Sequence, residues 1–174
     1  MKALLLVLSL SFGFAQPPPS TPPTGDVPGQ PTPDQDEILK NLVLTFPASE
    51  AATAIVAQID AATTHVYLLA PTIAEVGVKD ALLRAFARGV DTAYIIDAAA
   101  VSPLSGELAA AGVPGRGLPA APEYSLLLVD NRYLTVGTSL AGVPGELQIV
   151  DLGTGADSVL YALNGAFQYG TPLE

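Results

Sequence analysis

Apolar residues follow one rhythm up to about residue 112 and another after it. In the first part, short apolar runs alternate with stretches in which apolar residues return every three or four positions. Leu42-Val43-Leu44-Thr45-Phe46 reads as a strand ended by Pro47, because proline cannot donate to the next rung of a ladder. Ser49 is placed to cap a helix over 50–62, in which Ala51, Ile55, Ile59 and Ala62 share a face and Glu50 complements the helix dipole. His65 to Ala70 reads as a buried strand stopped at Pro71. A second helix over 79–88 turns Leu82, Leu83 and Phe86 inward and closes at Gly89. Thr92 to Asp97 is a third strand, and Pro103 to Ala111 a third helix closed by Gly112. From Val113 onward the rhythm changes to short runs between Gly, Pro and Asn. Tyr124 to Val129, Tyr133 to Val136 and Glu146 to Asp151 are expected to pair as a meander, followed by a last helix over 156–167. This order predicts an α/β fold, a mixed β-sheet covered by helices on both faces.

The residues before this domain have a different composition. Lys2, the apolar run Ala3 to Ala15 and the small-x-small step Gly13-Phe14-Ala15 read as a signal peptide over 1–15, which implies a secreted or periplasmic protein. The run of about 13 apolar residues falls short of the roughly 20 that span a bilayer, so no membrane contact is expected beyond the export signal. Eight prolines among the 17 residues from Pro17 to Pro33 make 16–37 an extended, proline-rich disordered linker. One domain, 38–174, remains, of a size that buries a single core.

Charge and cysteine content narrow the chemistry. The chain has no cysteine, which removes disulfides, thiolate zinc and thiol catalysis. From Ala48 to Glu174, five bases oppose thirteen acids, a net charge of −8. Nucleic-acid binding needs clustered Lys and Arg to neutralise phosphates, so a polyanionic partner is not expected.

The stretch from Glu123 to Thr138 carries the most specific pattern. Its spacing resembles the HxKxxxxDx6GS signature of the phospholipase D superfamily: counted from Asp130, the His position holds Glu123, the Lys position Ser125, and the Gly-Ser pair Gly137 and Thr138. The Asn usual three residues after that Gly falls on Leu140. Ala54 to Ala62, Val66 to Leu69, Ala81 to Val90 and Ala111 to Val113 are also similar to that family's framework segments, in its usual order. The resemblance implies a single phospholipase D-like repeat. It further implies a site formed where two repeats meet, in which one His attacks phosphorus, a second protonates the leaving group and Lys holds the phosphoryl oxygens. Glu123 puts an anion in the nucleophile's place. About 4 Å from a phosphate charge, at an effective dielectric near 20, the repulsion is on the order of 4 kcal/mol. Loss of the Lys removes a further ~1.5 to 3 kcal/mol of charge-assisted hydrogen bonding.

The expected function is therefore that of an exported, non-catalytic binding or scaffold module in the cell envelope. The alternative is an exported phosphodiesterase with an unconventional site on Glu123 and Asp130, or one completed by a partner. Asp130, before an Asn131-Arg132 turn, reads more readily as a turn former than as a catalytic carboxylate, and Gly137-Thr138-Ser139 as a tight backbone position. His65, the one histidine, reads as an ordinary strand residue rather than a ligand. Asp97, Glu123, Asp130 and Asp151 lie near strand ends, where caps and turns account for acids better than a metal does. No cofactor or metal is expected. Pro114 to Gly117 reads as a rim loop. A single repeat implies an unpartnered face, so a homodimer or an envelope protein partner is expected, with Leu126, Leu128 and Leu140 as candidates to line the contact.

Overall fold

The computed structural model describes residues 43–153 and 156–173. The signal peptide and linker assigned to 1–37 lie outside the described residues. Eight strands form one sheet: β1 (Val43–Phe46), β2 (His65–Leu69), β3 (Asp91–Asp97), β4 (Gly115–Leu118), β5 (Leu126–Val129), β6 (Tyr133–Val136), β7 (Leu147–Asp151) and β8 (Thr171–Pro172). Their spatial order is β1-β7-β6-β5-β2-β3-β4-β8. The β2, β3 and β4 strands run parallel, as βαβ crossovers require, while β5, β6, β7 and β1 pair antiparallel in turn. The sheet thus changes character between β2 and β5, at its centre.

Strand alternation divides the sheet into two faces. Val66, Leu68, Tyr94, Ile96, Leu127, Val129 and Leu147 point to one side, where they are buried beneath α1 (Ala48–Ala61), α2 (Val76–Ala87) and α3 (Pro103–Ala110). Ala51, Ile55 and Ile59 supply the buried stripe of α1, at the helical spacing visible in the sequence. Tyr67, Leu69 and Leu128 point the other way, against Ala156, Leu160 and Leu163 of the segment that ends in α4 (Asp157–Tyr169). This is the mixed, doubly covered sheet expected from the order of elements.

Several local expectations are corrected. Ser49 does not cap α1: the helix begins at Ala48 with Pro47 in the cap position and no side-chain cap bond. Proline cannot continue β1, and its fixed φ suits the turn into a helix. The second helix starts at Val76, three residues before Lys79. Residues 115–118 are not a rim loop but strand β4, paired parallel to β3 with Tyr94 opposite Gly115 and Ile96 opposite Gly117. Glycine here serves close approach. A Cβ on Gly115 would lie 2.3 Å from Cζ of Tyr94, whose hydroxyl donates to the Ser105 carbonyl at 3.0 Å. On the far side, β8 covers the β4 edge with two residues, Thr171 opposite Gly117 and Pro172 opposite Arg116.

Two glycine substitutions separate packing from conformational freedom. Gly115→Val should destabilise the fold by ~2 kcal/mol or more, because the buried Tyr94 ring has no room to move. Gly106→Ala, in α3 with nothing near its Cβ position, should stabilise by ~0.5 to 1 kcal/mol. Urea denaturation midpoints at constant slope check both.

Candidate functional site

The direction change between β2 and β5 creates the site. Leu69 of β2 pairs with Leu126, and Leu126 with Val136, so the chain entering β5 and the chain leaving β6 depart from the sheet side by side. Ser125 and Gly137 are the next residues outward. Glu123, Ser125, Gly137 and Thr138 therefore gather at the end of the sheet where β2 and β3 terminate, the position at which open α/β sheets present their binding crevices. Asp130 lies at the opposite end of β5.

The gathered residues differ in accessibility. Glu123 and Thr138 are exposed, whereas Ser125 is buried. Gly137 is extended rather than left-handed, and its lack of a side chain answers to space: a Cβ there would sit 2.7 Å from the Glu146 carbonyl oxygen and 3.2 Å from Leu147 Cα. Thr138 opens a 3-10 turn to Ala141, locked by the Ser139 hydroxyl donating to the Gly145 carbonyl at 2.7 Å. Neighbouring loops close around the same end. Thr72 donates to the Ala100 carbonyl at 3.2 Å, Ser102 to the Ile73 carbonyl at 3.1 Å, and the Asp97 carboxylate accepts from the Ala99 amide at 2.9 Å.

Cations do not serve this end of the molecule. Among the described residues, Lys79 pairs with Asp80 and Glu107, Arg84 and Arg88 with Asp60, and Arg132 with Asp151, while Arg116 stacks over Phe167 at 4.8 Å. Glu75, Asp97, Glu123 and Glu146 take part in no described ion pair. Nor do any three described His, Cys, Asp or Glu side chains form a group able to hold a metal ion. Asp97, Glu123, Asp130 and Asp151 do not converge: Asp97 caps a turn, Asp151 binds Arg132 and the Gly153 amide, and Asp130 is engaged elsewhere.

Asp130 ties the hairpin to the rest of the sheet. The turn between β5 and β6 has Asp130 and Asn131 as its central residues, both with positive φ (53° and 52°), and closes with the Arg132 amide donating to the Val129 carbonyl at 3.0 Å. The turn is thus one residue earlier than Asn131-Arg132, in the primed geometry that matches strand twist. The Asp130 carboxylate accepts from the Thr63 amide at 3.0 and 3.1 Å, the Thr64 amide at 2.7 Å and the His65 amide at 3.2 Å. It also accepts from the hydroxyls of Thr63 and Thr64, each at 3.0 Å. Partial burial alone raises a carboxylate's pKa, but these amide and hydroxyl donors outweigh it and hold Asp130 down to about 2. The His65 ring rests beside Tyr67, its Nδ1 2.9 Å from the Thr64 hydroxyl.

Two of the three leucines expected at an exposed contact face are interior. Leu128 lies under α4 and Leu140 joins the core beneath the helical layer. Sheet alternation sends Leu128 to the α4 face, and the 3-10 turn folds Leu140 inward. The sequence reading also missed a cavity of about 270 Å³ between α4 and the sheet, lined by Tyr67, Asp91, Ile95, Leu163 and Phe167. The Tyr67 hydroxyl donates to Asp91 there, and burial, followed by that carboxylate, raises the tyrosine's pKa.

No protein-family model and no curated protein sequence matches the chain. Solved structures do. Nuc from Salmonella typhimurium, a phospholipase D family member, aligns with a TM-score of 0.65 and 21% identity, covering 76% of this chain and 96% of Nuc. The chain has a phospholipase D fold. NucT from Helicobacter pylori aligns at 0.60 with 12% identity, over 75% of this chain and 97% of its own. TrmBL2, an archaeal chromatin protein with a novel mode of DNA binding, aligns at 0.62 with 11% identity, over 75% of this chain and 53% of its own. On this phospholipase D fold the motif positions stand together in space, apart from Asp130.

The depressed Asp130 pKa has a measurable consequence. The folded value of about 2 lies below the ordinary 3.8, so the stabilisation is complete above pH ~4 and is lost as pH falls towards 2. Asp151, held down to about 2 by Arg132 and the Gly153 amide, adds to the same acid limb. Asp130→Asn should lower stability at neutral pH by about 1 kcal/mol, after discounting for solvent screening, and flatten part of that limb. Thermal unfolding between pH 2 and 7 measures both.

Proposed function

We propose that the chain is a non-catalytic binding module on a phospholipase D fold, exported by its N-terminal apolar leader and held off its attachment by the proline-rich segment. The observation that carries this reading is the state of the two positions on which phosphodiester chemistry depends. Glu123 is exposed and anionic where the nucleophilic His belongs, and Ser125 is buried where a phosphate-binding Lys belongs. An accessible carboxylate repels the substrate it would have to attack, and no described cation stands by to offset it. A fold does not fix an activity; the site's chemistry does.

Purified protein should release no nitrophenol from bis(p-nitrophenyl) phosphate above the buffer rate, and Glu123→Ala should leave that result unchanged. Turnover that disappears in Glu123→Ala would establish a phosphodiesterase with an unconventional site. Turnover that appears only on mixing with a second envelope protein would establish a partner-completed one. Glu123→His with Ser125→Lys should not restore activity, because the introduced Lys must leave a buried position to reach a phosphate and Leu140, in the core, offers no polar contact.

A further inference from the structure

The end of the sheet that gathers Glu123 and Thr138 also gathers exposed apolar side chains. Val76, Val101, Tyr124 and Val143 are each more than half exposed, four of the seven large hydrophobics so placed among the described residues. They come from four different loops and helix ends near where β2 and β3 terminate and β5 begins, Val101 on the flank where it also lines a cavity with Ser105 and Thr171. The loops that carry them are fastened to one another: Thr72 to Ala100, Ser102 to Ile73, and Ser139 to Gly145. The 3-10 turn packs against the loop after β2 so closely that a Cβ on Gly142 would lie 2.5 Å from Ala74 Cβ and 3.7 Å from a Glu75 carboxylate oxygen. The surface is preformed, which lowers the ordering cost of binding.

Its charge is of one sign. Glu75, Glu123 and Glu146 are exposed around these apolar side chains, Asp97 lies beside them, and none is in a described ion pair. A two-fold pairing of this surface with a second copy would bring like charges together, so the expected homodimer is not the occupant that charge favours. Phosphate-bearing ligands meet the same repulsion, and no described trio of acids forms a metal site.

We propose that this surface docks a cationic protein segment, in which Lys or Arg side chains meet Glu75, Glu123 and Glu146 while apolar side chains cover Val76, Val101, Tyr124 and Val143. The proposal rests on the non-catalytic reading and names the chemistry of its partner. Opposite charge sets orientation and association rate, and the apolar side chains supply contact area. The substitution of Glu for the family's His then has a binding role in place of the lost chemistry.

The test uses the full chain and a labelled synthetic peptide of repeated Lys-Leu-Gly, about ten residues long. Control peptides replace Leu by Ser or Lys by Glu, and spermidine serves as a non-peptide cation. Anisotropy at low ionic strength should show binding of the Lys-Leu-Gly peptide, at least about tenfold weaker binding of the Leu-to-Ser and Lys-to-Glu peptides, and no competition by spermidine at equal charge. The triple variant Glu75→Gln, Glu123→Gln, Glu146→Gln should weaken binding about tenfold or more. A control with the same charge removed elsewhere, Glu50→Gln, Asp91→Asn and Asp157→Asn, should change it less than about twofold, with circular dichroism showing both variants folded. Amide shifts in an NMR titration should concentrate in 72–76, 97–102, 123–125 and 138–146. Equal losses in the two triple variants, equal binding of the Leu-to-Ser peptide, or shifts centred elsewhere overturn the docking surface. So does a sedimentation dimer broken by Glu75→Gln, Glu123→Gln, Glu146→Gln in a protein that ignores the peptide. Glu123-dependent turnover would overturn the non-catalytic reading through a separate assay, whereas lost peptide binding in a catalytically silent protein overturns only the partner.

Discussion

The carboxylate of Asp130 fastens the junction between two halves of the sheet, at the end of the ladder that pairs β2 with β5. On one side are parallel strands built by helical crossovers, and on the other an antiparallel meander closed by tight turns. The junction is the pairing of β2 with β5, and Asp130 fastens its end by collecting the amides and hydroxyls that precede β2. The Asp130 amide donates to the His65 carbonyl at 2.9 Å, which closes the same corner from the backbone side. With that corner fixed, a one-residue slip of β5 would exchange Leu127 and Leu128 between the two cores, so the register has one good solution. The placement of Ser125 and Gly137 at the far end follows from that register.

This division of labour explains how the spacing of a motif can persist where Glu123 and Ser125 stand at its His and Lys positions. Asp130 serves the hairpin corner, and Gly137 makes room for the Glu146 carbonyl and the start of β7. Neither role involves a substrate. Folding constrains these two positions, while Glu123, exposed on a bend, takes part in no described hydrogen bond or ion pair. Motif spacing in this fold is thus evidence of architecture, and the identity of the accessible side chains is evidence of function.

Much of the architecture was legible in the sequence because local periodicity and long-range structure agree. The stripe Ala51, Ile55, Ile59 and the runs His65 to Leu69 and Thr92 to Asp97 each have one period and one buried face. The glycines Gly89 and Gly112, both at positive φ, mark helix ends where a left-handed residue was expected. Other features were hidden for physical reasons. Gly-Arg-Gly has little strand propensity of its own, so β4 exists through its pairing with β3 and the space that the Tyr94 ring demands. Pro47 rather than Ser49 precedes α1 because it is the single residue between the end of the strand at Phe46 and the start of the helix at Ala48. Nothing local announces that Asp130 would find its donors at Thr63 and Thr64, some 66 or 67 positions away. Likewise, no period distinguishes Leu128 and Leu140 at a surface from the same residues in a core.

The last strand has a bearing on how the sheet behaves among its own copies. Pro172 stands opposite Arg116 on the outermost rung and carries no amide hydrogen. A further strand approaching that flank meets a rung with no donor and a run of two residues, too short to template a ladder. Among the described residues that margin of the sheet resists strand addition, and with it one route to fibrous growth, which leaves β1 as the described margin where edge-on polymerisation would start.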